Sequence, residues 1–150
     1  MYNHAPVDYV CPLCRNITTG ESDYPLEIVH RSQDVFVKMN PRWWPRNPGS
    51  ALVVPTQHHE NVFDLPLELA LPIHAAVRDT ALAMKAAFDC EGVSTRQHNE
   101  PAGNQDVWHY HVHVFPRFTN DGLYGSSAEL ANEVDLHRTA SLLRSKWPTS

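Results

Sequence analysis

The chain has 150 residues, 42% of them hydrophobic and 19% charged, which suits one domain (residues 1–150) with a true hydrophobic core. Twelve basic residues against 17 acidic ones leave a formal charge of −5, which argues against a broad nucleic-acid or anionic-membrane surface. No apolar run approaches the ~20 residues that span a bilayer. The opening MYNHAPVDYVCPLC has neither a basic start nor an apolar stretch, so a cytoplasmic protein is predicted.

In chain order, residues 1–23 read as irregular. LEIVH (26–30) and DVFVKM (34–39) read as strands joined by a hairpin-length break, Arg31-Ser32-Gln33. NPRWWPRNPGS (40–50), with three prolines and a glycine, is a loop, and ALVVP (51–55) a short apolar strand. After Asp64-Leu65-Pro66 a helical stripe follows, Leu69, Ile73, Val77, Ala81, Met84 and Phe88, with Gly92 past its end. Pro72 either kinks this helix or marks its start. VSTRQH (93–98) is a polar strand, NEPAGNQD a turn-rich loop, and residues 107–115 another strand. Ser126 and Glu129 form a candidate capping box before a last helix striped by Leu136, Ala140, Leu143 and Trp147. Strands with short connections and two separated helices predict an α+β fold with an antiparallel sheet.

Ten histidines are the compositional anomaly. Three of them, His109, His111 and His113, alternate with Tyr110, Val112 and Val114 in WHYHVHVF. On a strand they line one face, roughly 6–7 Å apart, while the apolar residues go behind. Such a row can be a half-exposed strand, a metal site, or a centre for phosphoryl chemistry. Imidazole serves the last because it is neutral and nucleophilic at neutral pH, and its neighbours can hydrogen-bond phosphoryl oxygens. The three cysteines, Cys11, Cys14 and Cys90, are an odd number in a chain without an export signal, which argues against disulfides. CPLC lacks the preceding strand of a redox motif, and as half of a tetrahedral zinc site it needs two more ligands. Cys90 is assigned to packing, and His4, His30, His74 and His137 to solvated or capping positions.

HYHVHVF (109–115) resembles the signature of the histidine triad (HIT) superfamily of nucleotide hydrolases and transferases. LVVPTQHH (52–59), the intervening helix, Asn99, Gln105 and Pro116-Arg117 extend the resemblance to about residues 11–117. It implies a sheet of about five antiparallel strands with one long and one C-terminal helix, in a homodimer. By resemblance His111 is the nucleophile that takes a nucleotide's α-phosphate, and His113 and Gln105 assist as phosphate contacts. Asn99 is a further phosphate contact, Asn40 reaches ribose, and Trp43 or Trp44 flanks the base. The family's N-terminal cysteine pair implies structural zinc on Cys11, Cys14, His58 and His109, with His59 as competitor for His58. Asp106 stands where many members carry a hydroxyl, Asn104 where a glycine is common, and Ser50 where a histidine is frequent.

The implied substrates are dinucleoside polyphosphates or nucleoside phosphoramidates, with Pro116-Arg117 leaning towards the former. The third histidine argues against the sugar-1-phosphate uridylyltransferase branch. Two alternatives stay open: a zinc-stabilised nucleotide-binding or adaptor domain without turnover, and a metal-dependent hydrolase.

Overall fold

The polar and apolar alternation of the strands closes into one sheet in the computed structural model, which describes residues 2–18 and 27–149. Strands β1 (Ile28–Arg31) and β2 (Val35–Met39) form the predicted hairpin. Its turn is held by Ser32, whose hydroxyl accepts from the Asp34 and Val35 amides at 3.3 and 3.1 Å. The first residue of the predicted strand, Leu26, lies outside the described residues.

β2 pairs with β4 (Ala51–Pro55), β4 with β6 (Val112–Arg117), and β6 with β5 (Gly92–Gln97). All four pairings are antiparallel and the order is β1-β2-β4-β6-β5. A two-residue strand β3 (Arg42–Trp43) pairs separately with β7 (Glu129–Leu130). The fold is thus the expected α+β arrangement of a five-stranded antiparallel sheet, a long helix and a C-terminal helix.

Every residue of β2 and β4 is buried, so the middle of the sheet is covered on both faces. On one face Val35, Val37, Met39, Val53, Val112 and Val114 pack against the helices α2 (Ala70–Phe88) and α3 (Glu133–Ser145). On the other, Phe36, Leu52 and Val54 pack under Cys11 and Leu13 of the N-terminal segment. That segment carries helix α1 (Pro12–Thr18), which the sequence reading treated as irregular. Pro12 opens it, where a missing N–H costs nothing, and the Cys11 sulfur accepts from the Cys14 amide at 3.4 Å.

In α2, Pro72 sits in the first turn and the helix starts there instead of kinking. The helix ends at Asp89, which takes a left-handed φ of 52°, three residues before Gly92 enters β5. The last helix is capped by Asn132, whose side chain accepts from the Asp135 amide at 2.8 Å. The Ser126–Glu129 box does not form, because Glu129 is drawn into β7 opposite Trp43. Trp147 lies beyond α3, where it stacks on His30 with ring centroids 4.5 Å apart, so His30 is a packing residue and not a solvated one.

The histidine strand also starts later than predicted, at Val112 instead of Val107. The pairing gives out there on both sides: Gln97, the last residue of β5, pairs with Val112, and β4 pairs with β6 only as far as Val53. Residues 109–111 therefore leave the ladder, and the Tyr110 amide bonds to the His59 carbonyl at 2.6 Å instead.

Candidate active site and metal site

Four side chains from three distant segments converge beside the start of β6. Cys11 comes from the residue before α1 and Cys14 from its first turn, His58 from the chain after β4, and His109 from the chain before β6. Their donor atoms all lie within 4.8 Å of one another. The His109 Nδ1 is 3.4 Å from the Cys11 sulfur and 3.5 Å from that of Cys14, and the His58 Nδ1 is 3.2 Å from the Cys14 sulfur. Tetrahedral zinc, with bonds of roughly 2.0–2.3 Å, holds its donors roughly 3.5 Å apart. The spacing fits.

The chemistry fits as well. His109 Nε2 lies 3.0 Å from the Pro55 carbonyl, which can only accept, so Nε2 carries the proton and Nδ1 points its lone pair at the sulfurs. Burial first, and then His58, push the His109 ring down to about 4. Burial and the adjacent Cys11 push the Cys14 thiol up to about 12. A neutral ring facing a Cys14 thiol that resists ionising is what a divalent cation would reverse. His59, the competitor, is not in the cluster.

His109 thereby sets the position of His111. The His111 Nδ1 lies 2.7 Å from the His109 carbonyl oxygen. It must donate, which leaves Nε2 without a proton. His111 is almost wholly buried, and burial lowers its pKa. A neutral imidazole with a free Nε2 is a nucleophile.

His113 is 4.9 Å from His111 between ring centroids and stacks on Phe115 at 5.7 Å. Its pKa is lowered to about 3, by burial first and then by His111, and its Nδ1 has no hydrogen-bond partner.

The other expected contacts divide. Asn40 is buried at the end of β2, with its side-chain oxygen accepting from the Arg42 amide at 3.1 Å. Trp44 packs edge-on against Phe115, with centroids 5.1 Å apart, and donates to the Ser126 carbonyl. Gln105 spends its amide on the backbone. It donates to the Glu60 and Val107 carbonyls at 2.6 and 3.1 Å and accepts from the Glu100 amide at 2.9 Å, tying the 98–108 loop down.

Asn99 is bound to Gln97 and to the Val62 amide, and Gln97 faces the α2 side of the sheet. The residue on the histidine side is instead His98, 6.0 Å from His113. The reason is strand parity. Arg96 pairs with His113, so Ser94, Arg96 and His98 share the histidine face while Thr95 and Gln97 face α2. The sequence reading prefers Asn99 to His98 and gives Arg96 no role, although S-T-R-Q-H carries the same two-residue period as the histidines.

Arg117 is also absorbed structurally. Its guanidinium grips Asp121 through Nε and Nη2 at 2.7 and 2.9 Å. Asn47 adds a third bond to Asp121, and together they hold its carboxyl well below the usual carboxylate range.

The HIT domain family matches residues 24–120. The chain belongs to the HIT domain family. An uncharacterised HIT-like protein of Methanocaldococcus jannaschii is 33% identical over 130 residues, 85% of this chain and 93% of that one. A zinc-bound histidine triad family protein of Mycobacterium smegmatis shares the fold with a TM-score of 0.74 at 24% identity, over 91% of each chain. A diadenosine triphosphate hydrolase of Plasmodium falciparum does so with a TM-score of 0.70 at 18% identity, over 97% of this chain and 87% of that one. No described helix is long and apolar enough to cross a membrane.

Proposed function

We propose that this HIT protein hydrolyses or transfers at the α-phosphate of a nucleotide, through a covalent nucleotidyl group on Nε2 of His111. The observation that carries the reading is the hydrogen bond from His111 Nδ1 to the His109 carbonyl, which leaves Nε2 as the free lone pair. In the first displacement the Nε2–P bond forms and the bond from phosphorus to the leaving group breaks, the electron pair departing with that group. In the second, water or another acceptor forms the new P–O bond and the pair returns to Nε2. His113 would contact the phosphoryl oxygens with His98 beside it, and Asn40 would reach the ribose, while the Trp44 ring is given to the Arg96 guanidinium. Gln105, wholly engaged with backbone, acts here by positioning the loop that leads into His109.

Zinc on Cys11, Cys14, His58 and His109 completes the proposal. The four protein donors fill a tetrahedral set, so the ion would supply folding free energy and no activated water. Thiolate ligands also suit a reducing compartment, in keeping with a cytoplasmic protein.

The homodimer is supported by the uncovered side of β5, an edge strand among the described residues. Beside it lies an apolar cleft of about 430 Å³ whose walls include Val62, Leu67, Ile73, Val77 and Thr95. Leu67 and Leu71 are 87% and 76% exposed, a surface that a second copy would cover.

Substrate class within this reading includes dinucleoside polyphosphates and nucleoside phosphoramidates. The test is turnover of a panel covering both, with nucleotide affinity measured alongside. Turnover of either class supports the reading; tight nucleotide binding without turnover would replace it with a binding or adaptor domain.

A further inference from the structure

One row of residues crosses the histidine face of the sheet. Lys38 pairs with Leu52, Leu52 with His113, and His113 with Arg96, so all four side chains leave the same face. Strands lie about 4.8 Å apart, which puts the Arg96 backbone one strand from His113 and Lys38 two strands away on the other side. The two cations at the ends of the row are treated differently. Lys38 is neutralised by Glu27 at 3.3 Å and bonded to the Asn16 side chain at 3.2 Å. Arg96 forms no ion pair among the described residues.

Arg96 is nonetheless held firmly. Its guanidinium carbon lies 4.7 Å from the ring centroid of Phe115, 5.1 Å from that of Trp44 and 5.9 Å from that of Tyr124. Aromatic faces attract the charge but accept little from its N–H groups. Its Nε is buried without a hydrogen-bond partner. A fixed planar cation with unspent donors is a receptor for an oxyanion.

This inference rests on the nucleotidyl-transfer reading above. In-line displacement sends the departing group away from Nε2 of His111, and with the nucleoside running towards Asn40 and β2 and Lys38 already paired with Glu27, the unpaired cation of the row that it can meet is Arg96 on β5. The breaking P–O bond leaves its electron pair on that group, so negative charge grows on the Arg96 side as reaction proceeds. We propose that Arg96, on its platform of Trp44, Phe115 and Tyr124, binds the anionic leaving group beyond the α-phosphate. It thereby selects substrates of the dinucleoside-polyphosphate kind over phosphoramidates, whose P–N bond breaks to release an amine.

The experiment compares diadenosine triphosphate with adenosine 5′-phosphoramidate, which share the nucleotidyl group and differ in what leaves. The quantity read is the ratio of their kcat/KM values, in wild type and in Arg96→Gln, Arg96→Met and Arg96→Lys, each checked by its melting curve. Losing hydrogen bonds to a charged group should lower the ratio about tenfold or more in the Gln and Met variants, with partial recovery in Lys. In the wild type, which needs no variant to fold, raising salt should lower the same ratio by screening the leaving group from Arg96. A ratio that stays within about twofold across variants and salt overturns the assignment, since a merely structural Arg96 would affect both substrates alike. Wild-type protein that turns over neither compound and forms no adduct overturns the nucleotidyl-transfer reading itself, a result distinct from an unchanged ratio.

Discussion

The carbonyl oxygen of His109 lies 2.7 Å from Nδ1 of His111, and this one contact links the metal cluster to the nucleophile. The side chain of His109 faces the cysteines while its backbone fixes the tautomer of the residue two places on. Heteronuclear NMR of the imidazole nitrogens should find His111 protonated on Nδ1 and bare on Nε2. A proton on Nε2 in the resting protein contradicts the assignment of that atom as nucleophile.

Protein purified without added metal should contain about one zinc per chain. Cys11→Ser with Cys14→Ser should abolish it and lower the melting temperature by on the order of 10 °C, because metal binding to a folded site is folding free energy. In a chelator titration, activity should fall together with the circular dichroism of the fold. Activity that vanishes while the fold persists would favour a catalytic metal.

Both the triad and the cysteine motif could be read from sequence because their information is local. Alternation in HYHVHVF and the two-residue gap of CPLC need no knowledge of the rest of the chain. What sequence hid depends on partners. Val112 begins β6 because its pairing gives out there, at Gln97 of β5 and Val53 of β4, and neither limit is written in residues 107–115. Likewise, whether His98 or Asn99 faces the triad follows from the pairing of Arg96 with His113. Asn132 was hidden as a cap because Glu129 looked equally able to close a box until β3 claimed it.

Acid should unfold the protein through His113. Its folded pKa of about 3 lies below its ordinary 6.5, chiefly because it is buried, so the unfolded state takes up protons first. The stabilising contribution is complete above pH 6.5 and is lost as pH falls from there towards about 3. Urea melts at neutral pH and at graded acid values should record this decline, and His113→Asn should flatten it. An equal slope in the variant would remove His113 as the source.

The proposed dimer should dissociate when the uncovered apolar surface is made acidic. Leu67→Glu combined with Leu71→Glu places charge on side chains that the folded protomer leaves exposed, so each protomer should still fold. Sedimentation velocity should find wild type at twice the protomer mass and the variant at the protomer mass. A wild-type protomer in solution contradicts the proposed assembly.

The central claim is a covalent bond at His111, and the most direct measurement is to trap it. Protein mixed with a labelled nucleotide substrate, quenched within a turnover and digested for peptide mass analysis, should carry one nucleotidyl group on the peptide containing His111. His111→Ala should form none and lose about three orders of magnitude or more in turnover while still folding and binding nucleotide. An adduct on another residue, or brisk turnover by His111→Ala, would contradict the account.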